Sequence, residues 1–518
     1  MDRAQGSADA GPNTGASGLR TLSLIAGPLA AAMCYLLLPE SYVGAGGEPV
    51  AFSQAGRATL AMMVWMATWW LTEALPLAAT ALLPLAAFPL LGIATAAQAA
   101  APYGSDVIWL FFGGFVLAGA LQRWGLDRRM AFHTLRWVGT RPNAIIAGIM
   151  GATAFISMWV SNTATAALML PIALSVIDLV LRQRTGSGLD RQGIPATATD
   201  VRAFATALLL GVAYAASIGG LATIVGSPPN GIVVRYIAQT WGETISFTTW
   251  LLIAAPFVLL FLPLAWWLLT RWLFRHGLPP IEGGRRWVTA ELVQLGPLER
   301  GAQLTLAVFV LAAVLWVFGP VLAGISIAGI RPLAGLSDSV VAVLAAIALF
   351  SLPAGKGQRV LDWDAALQIP WDVLVLFGGG LSLAAAIDRT GVSGYLGSLA
   401  VGLAGWPVVL LVLVVVALTT FLSELTSNTA QVATMVPLLA AMAPAVGVHP
   451  YLLVIPCAFA ASAAFMMPVG TPPNAIVFGT GMVRMGDMCR AGLVLNLCAI
   501  ALTTLLTFAV IEPLLLRP

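Results

Sequence analysis

The sequence predicts an all-α integral membrane protein of about 11 transmembrane helices plus two re-entrant hairpins, arranged as an inverted repeat. Three observations carry this expectation. Of 518 residues, 59% are hydrophobic and only 9% charged, whereas soluble domains carry about a quarter charged residues. Apolar runs of bilayer-spanning length recur from end to end, separated by short polar loops. Finally, polar, helix-breaking islands interrupt those runs as two matched pairs. Ser161-Asn162-Thr163-Ala164 is answered by Ser427-Asn428-Thr429-Ala430, and Gly226-Ser227-Pro228-Pro229-Asn230 by Gly470-Thr471-Pro472-Pro473-Asn474. Each quartet is followed by a proline at the same distance, Pro171 and Pro437. An unsatisfied polar group at bilayer depth costs several kcal/mol, so islands repeated in this way imply a site assembled from repeated halves.

Taken in order, residues 1–18 are rich in Gly, Ala, Ser and Asp and read as a disordered tail. The next apolar segment lacks a small-residue cleavage site, so it reads as an anchor rather than a signal peptide. Spans are expected at 20–38, 58–77, 78–95, 107–124, 202–239 (interrupted), 247–274, 301–319, 338–354, 372–388, 450–483 (interrupted) and 488–513. Segments 142–182 and 405–447 hold the Ser-Asn-Thr quartets near their midpoints and either cross or dip in and return.

Charge decides between these. With a cytoplasmic N-terminus and two re-entrant hairpins, all Lys and Arg fall on the cytoplasmic side except Arg57, Arg235, Arg331, Arg389 and Arg517. A single crossing by the first segment would split its basic flanks, Arg123 to Arg141 and Arg182 to Arg191, between the two sides. No Lys or Arg lies between Arg389 and Arg484, as expected for a second hairpin entering from outside. The first hairpin then opens inward and the second outward. Trp109-Leu110-Phe111-Phe112-Gly113-Gly114 resembles Leu374-Val375-Leu376-Phe377-Gly378-Gly379, which extends the repeat upstream of each hairpin. The expected organisation is helices in 19–106, a first repeat in 107–274, a connecting loop and helices in 275–371, and a second repeat in 372–518. The loop at about 183–200 reads as an insertion in the first half only.

At a hairpin tip, Ser-Asn-Thr opens the returning half-helix. These are preferred N-cap types, and the amides that follow carry the positive end of the helix dipole, which attracts a carboxylate or sulfate without any arginine. Downstream, Pro-Pro removes two amide donors and breaks the spanning helix. The carbonyls it frees, beside Ser, Thr and Asn oxygens, form a hard-oxygen cage suited to sodium. A lone Ser-Asn-Thr is more often an interhelical hydrogen-bonding cluster, and a lone Pro-Pro-Asn a kink; matched pairs in the same order reverse those odds. Glu73 lies near a span end and reads as a cap. Glu424, beside the second tip, either shapes the site or bonds the tip amides. The Gly-Gly pairs read as close helix packing.

The four cysteines, Cys34, Cys457, Cys489 and Cys498, show no paired spacing, and His133, His276 and His449 form no metal motif, which argues against a membrane enzyme. The net charge of +3 gives no reason to expect a nucleic-acid partner. A passive channel would need a continuous polar stripe, whereas polarity here is concentrated in the islands. The residues therefore point to an ion-coupled carrier with broken helices and no organic cofactor.

Together with Trp69-Trp70-Leu71-Thr72-Glu73-Ala74-Leu75-Pro76, both tips, both Pro-Pro-Asn bends and both Phe-Gly-Gly segments, nearly the whole chain resembles the divalent anion/sodium symporters, which include sodium-coupled dicarboxylate carriers. The resemblance implies a homodimer in the cell inner (plasma) membrane, with a fixed scaffold and a moving, hairpin-bearing domain: an elevator. It implies substrate contacts by Asn162, Thr163, Ser227, Asn428, Thr429, Thr471 and Pro472. It also implies one sodium at Ser157, Ser161, Asn162 and the Gly226 carbonyl, and a second at Ser423, Thr426, Asn428 and the Gly470 carbonyl. Some members exchange anions without sodium and place a cationic side chain where sodium would sit; neither tip nor bend here holds Lys, Arg or His, which favours symport. Two opposed anion-attracting tips suit the two carboxylates of a C4-dicarboxylate such as succinate, malate or fumarate; sulfate, citrate and sodium-independent exchange are the alternatives.

Overall fold

The fold is that of a computed structural model, which describes residues 14–44, 48–185, 199–281, 284–326, 330–355 and 357–516. Among these the chain is almost entirely helical; the only paired strands are two short antiparallel ribbons, Ser41–Val43 with Pro49–Ala51 and Pro353–Gly355 with Gln358–Arg359. Eight helices are long and apolar enough to cross a bilayer, or nine if Val392–Leu403 and Val408–Ser423, bent by 115° from one another, count as one span.

This differs in detail from the eleven spans expected. The apolar stretches near 20–38, 78–95 and 338–354 yield only shorter apolar helices, Leu22–Leu37, Leu77–Leu90 and Asp338–Ser351. The one near 58–77 yields Gln54–Leu71, which is not among the eight, and 450–483 is interrupted as expected, its first part the short helix Tyr451–Ala461. Conversely, the returning arms of both hairpins, Asn162–Arg184 and Asn428–Val446, are long enough to span by themselves. Hydropathy counts apolar residues but does not see where prolines such as Pro76 and Pro84 divide a run into pieces. The first helix begins at Thr14, inside the stretch expected to be a tail. Residues 1–13, and most of the expected insertion at 183–200, lie outside the described residues.

Both expected hairpins form. The first has arms Pro142–Ser157 and Asn162–Thr185, the second Val408–Ser423 and Asn428–Met442. Both interrupted helices form as well. Thr199–Gly220 breaks and resumes as Pro228–Trp241, and Tyr451–Ala461 breaks and resumes as Pro472–Phe478. In each case the two prolines occupy the first positions of the resumed helix, where a missing amide costs nothing. A lateral helix precedes each hairpin, Leu126–Val138 and Val392–Ala400, and each starts after a left-handed glycine, Gly125 (φ 59°) and Gly391 (φ 76°). Thr199–Gly220 lies at the centre, buried from Val201 to Gly220 except at Arg202 and Ala203, against both arms of the first hairpin and against Pro472–Phe478.

The Phe-Gly-Gly segments sit on Asp106–Arg123 and Trp371–Arg389, which pack against each other. A Cβ on Gly113 would collide with the Ala342 carbonyl, and one on Gly379 with the Ala81 carbonyl, so these glycines permit close packing, as their sequence suggested. Several arginines do more than mark topology. Arg129 donates to the carbonyls of Leu295 (from its Nη2), Gly296 (2.9 Å) and Pro297 (3.2 Å), closing the C-terminal end of the Gly284–Gln294 helix.

Candidate functional site

In the first half, three chain ends meet. The first hairpin arm ends at Ser157, the returning arm begins at Asn162, and the central helix ends at Gly220. The buried Ser157 Oγ lies 2.7 Å from both Asn162 Oδ1 and the Ala216 carbonyl oxygen. One hydroxyl proton serves only one of these acceptors at a time, so the cluster holds more oxygen lone pairs than protons. Around Gly226 the crowding is also by oxygen: a Cβ there would lie 2.6 Å from the Gly220 carbonyl oxygen and 3.0 Å from those of Ser157 and Met158. A Cβ on Gly220 would collide with Asn162 Oδ1. Both glycines are required by close approach.

The second half repeats this. Ser423 Oγ lies 2.7 Å from Asn428 Oδ1 and donates at short range to the Ala461 carbonyl. In each bend the Pro-Pro-Asn asparagine braces the break with its side-chain amide. Asn230 Nδ2 donates to the carbonyls of Gly220 (3.0 Å), Leu221 (3.3 Å) and Thr223 (2.7 Å), and Asn474 Nδ2 to those of Ala464 and Met467 (3.0 Å each). Asn230 Oδ1, Asn474 Oδ1 and the hydroxyls of Ser217, Ser462 and Thr471 are buried without a hydrogen-bond partner among the described residues. An all-oxygen set with unfilled lone pairs is chemically suited to a hard cation.

The sequence-derived residues fall in different places. Ser157, Asn162 and Gly226 come together, joined by Gly220, which the sequence did not single out, and in the second half Ser423 meets Asn428 while Gly470 lies against the adjacent Glu424. Ser227 and Thr471 are buried at the N-terminal ends of the resumed helices, whereas Pro472 beside them, and Thr163 and Thr429 in the first turns of the hairpin return arms, are more accessible. Ser161 Oγ accepts from the Ala164 amide (3.4 Å), acting as an N-cap, whereas Ser427 makes no such bond. The Thr426 hydroxyl donates to Leu422 O one turn back (3.0 Å), on its own arm. Glu73 is exposed in a turn with left-handed backbone (φ 47°), away from both clusters.

Glu424 lies beside the second tip, at the end of the Val408–Ser423 arm. It bonds no tip amide and instead reaches across to the second break, accepting from the amides of Phe465 (2.8 Å), Met466 (2.9 Å) and Met467 (2.8 Å) and from Asn496 Nδ2 (2.6 Å). Sequence reading also left out Ser217 and Ser462, which follow the matched acceptors Ala216 and Ala461, and gave Asn230 and Asn474, though quoted in both bends, no bracing role of their own. Extending the repeat residue by residue would have found these. Asn496 has no such signal.

The two halves touch through the Tyr214 hydroxyl, which donates to the Phe465 carbonyl (2.9 Å). A cavity of about 650 Å³ opens beside the first tip, where Val160, Ser161 and Ala164 face the C-terminal end of Asp106–Arg123. At its rim Arg123 pairs with Asp362 (2.7 Å). The Ala365 amide, and then the Arg123 guanidinium, hold this carboxyl below the ordinary carboxylate range. At the opposite end of the same helix, Asp106 pairs with Arg235 (2.8 Å), and on Trp371–Arg389 the Asp388 carboxylate accepts from Thr240 Oγ1 (3.2 Å). The resumed first-half helix is thus tied to both neighbours at the end away from the cavity. Among the described residues, no group of three or more His, Cys, Asp or Glu side chains is placed to hold a metal ion.

Comparison with known proteins agrees with this architecture. The sodium:sulfate symporter transmembrane region matches residues 28–516. A protein named sodium-dependent dicarboxylate transporter SdcS from Staphylococcus saprophyticus is 38% identical over 497 residues, 95% of this chain and 92% of the relative. Its namesake from Staphylococcus aureus is 38% identical over 458 residues, 88% and 86% of the two chains. Among solved structures, the YdaH transporter of Alcanivorax borkumensis superposes with a TM-score of 0.54 over 96% of this chain and 98% of that one, at 13% identity, a likeness of fold alone. With the family match running through both hairpins and both broken helices, the chain is a multi-pass membrane transporter that belongs to the divalent anion/sodium symporter family.

Proposed function

We propose that this protein is a secondary active transporter that couples sodium to the uptake of a C4-dicarboxylate such as succinate, malate or fumarate. The observation that carries the reading is the repeated cluster, Ser157–Asn162–Ala216 and Ser423–Asn428–Ala461, in which oxygens outnumber protons. In each half, C-terminal helix ends direct carbonyls to the cluster and N-terminal helix ends direct amides past it. Carbonyl ends favour a cation and amide ends an anion. On this reading one sodium takes oxygens from Ser157, Ser161, Asn162 and Gly226, and the second from Ser423, Asn428 and Gly470. Thr426 joins the second set through its remaining lone pairs. The substrate lies between the tips, against Asn162, Thr163, Ser227, Asn428, Thr429, Thr471 and Pro472.

Supporting the dicarboxylate are the printed names of relatives covering most of this chain and the presence of two separate amide-bearing ends. Supporting symport is the absence of Lys, Arg and His from the tips and bends. We further infer a homodimer in the plasma membrane with a cytoplasmic N-terminus, moving its hairpin unit as an elevator against the remaining helices. Uptake of radiolabelled succinate into proteoliposomes under an inward sodium gradient tests the central reading. Uptake should fall to background when choline replaces sodium and should be competed by malate and fumarate. Uptake unchanged in choline would establish sodium-independent exchange, and competition by sulfate or citrate alone would change the substrate.

A further inference from the structure

The two clusters differ in one respect. Ser157-Met158-Trp159-Val160-Ser161-Asn162 and Ser423-Glu424-Leu425-Thr426-Ser427-Asn428 share their spacing, so Glu424 stands where the first half has Met158. In the first half the break supplies the tie between tip and bend: Thr223 Oγ1 donates to the Met158 carbonyl and accepts from the Gly226 amide (3.0 Å). The corresponding residue of the second bend, Met467, has no hydroxyl. There the tip supplies the tie, through the Glu424 carboxylate.

This carboxylate is buried, 4% exposed. Its four partners all donate and none is charged, an environment that suits a carboxylate. Its Oε2 lies 3.0 Å from where a Cβ on Gly470 would sit. Asn496, fully buried on the Met485–Leu506 helix, holds it in place by donating to Oε1 while its own Oδ1 accepts from the Phe465 amide (3.3 Å). One turn earlier Gly492 leaves no room for a Cβ against Phe465 and Met466, which lets this helix press onto the break. A buried anion with neutral partners raises the affinity of its surroundings for a cation, because little water is present to screen it.

We propose that Glu424 and Asn496 are positioning residues of the second cation cage, giving it a fixed negative charge that the first cage lacks, so that the two cages bind sodium unequally and the second binds it more tightly. This rests on the reading that the Gly470 carbonyl belongs to a sodium site.

The test is sodium titration of purified protein by thermal stabilisation, together with sodium dependence of succinate uptake, for wild type, Asn496→Ala, Glu424→Asp and Glu424→Gln. Asn496→Ala should raise half-saturating sodium by roughly tenfold, the scale of one lost hydrogen bond to a charged group. Glu424→Asp, which keeps the charge, should bind sodium more tightly than Glu424→Gln, which keeps the length. If Asn496→Ala does not fold, the Asp and Gln pair decides by the same comparison. Unchanged half-saturating sodium in Asn496→Ala or Glu424→Gln, or equal impairment of Glu424→Asp and Glu424→Gln, would overturn the proposal while leaving sodium coupling intact. Wild-type protein that sodium neither stabilises nor drives would overturn both.

Discussion

At the scale of single residues, Asn162 and Asn428 each open a returning half-helix and present Oδ1 to a serine hydroxyl that also lies within reach of a main-chain carbonyl. On the proposed reading, Asn162→Ala or Asn428→Ala removes a cation oxygen and a substrate contact together, so uptake should fall to background and sodium should stabilise the purified protein less, through the remaining cage alone. Thermal stability scans with and without sodium check this independently of transport. Gly220→Ala should be as damaging as the asparagine change, because the new methyl group would occupy the place of Asn162 Oδ1. These positions were legible in the sequence because each Ser-Asn-Thr has a twin. Ser217 and Ser462 were equally matched but sit singly in apolar runs, where a serine carries little signal by itself.

At the scale of elements, the breaks and tips fold as mutually braced pairs. Thr223 links the first tip to the first bend through two hydrogen bonds, one to the Met158 carbonyl and one from the Gly226 amide. Thr223→Val keeps the shape and removes both, so the protein should lose about 1–3 kcal/mol, the cost of leaving a buried partner unsatisfied. A lowered thermal midpoint with reduced sodium stabilisation is the expected result. The sequence announced the hairpins and broken helices because Pro-Pro cannot continue a helix and Ser-Asn-Thr favours starting a new one. It did not announce how many of the remaining segments are full spans. Pro76 and Pro84, each at the start of a short helix, divide one expected span into pieces, an effect of backbone chemistry to which a hydropathy window is blind.

At the scale of the whole molecule, the cavity beside the first tip and the polar ties at the far end of the same helices place open and closed faces on opposite ends. If the hairpin unit moves as an elevator, the Asp106–Arg235 contact must part in each cycle. With the four natural cysteines replaced, Asp106→Cys and Arg235→Cys bridged by a short bis-thiol reagent should stop uptake, with either single variant unaffected by the reagent. Full turnover in the bridged protein would end the elevator reading. Coupling makes a second global prediction. Helix ends carry only partial charge, so a dianion needs the cations, and succinate affinity measured by calorimetry should rise steeply with sodium. Equal affinity in sodium and in choline would show an anion site complete without the cation.

The sequence by itself determined that this chain lives in a bilayer, that it is built from two related halves, and that each half carries a tip and a bend of hydroxyls, amides and prolines. It could do so because polar groups at bilayer depth are costly enough to be conspicuous, and repetition makes chance a poor explanation. Only the tertiary structure decided which oxygens share a proton, that Glu424 reaches across to residues 465–467 rather than to its own tip, and that Asn496 on the last long helix holds it there. Those relations join positions dozens of residues apart through contacts a few ångströms long. Their directions are set by how helices cross, which no local pattern of residues encodes.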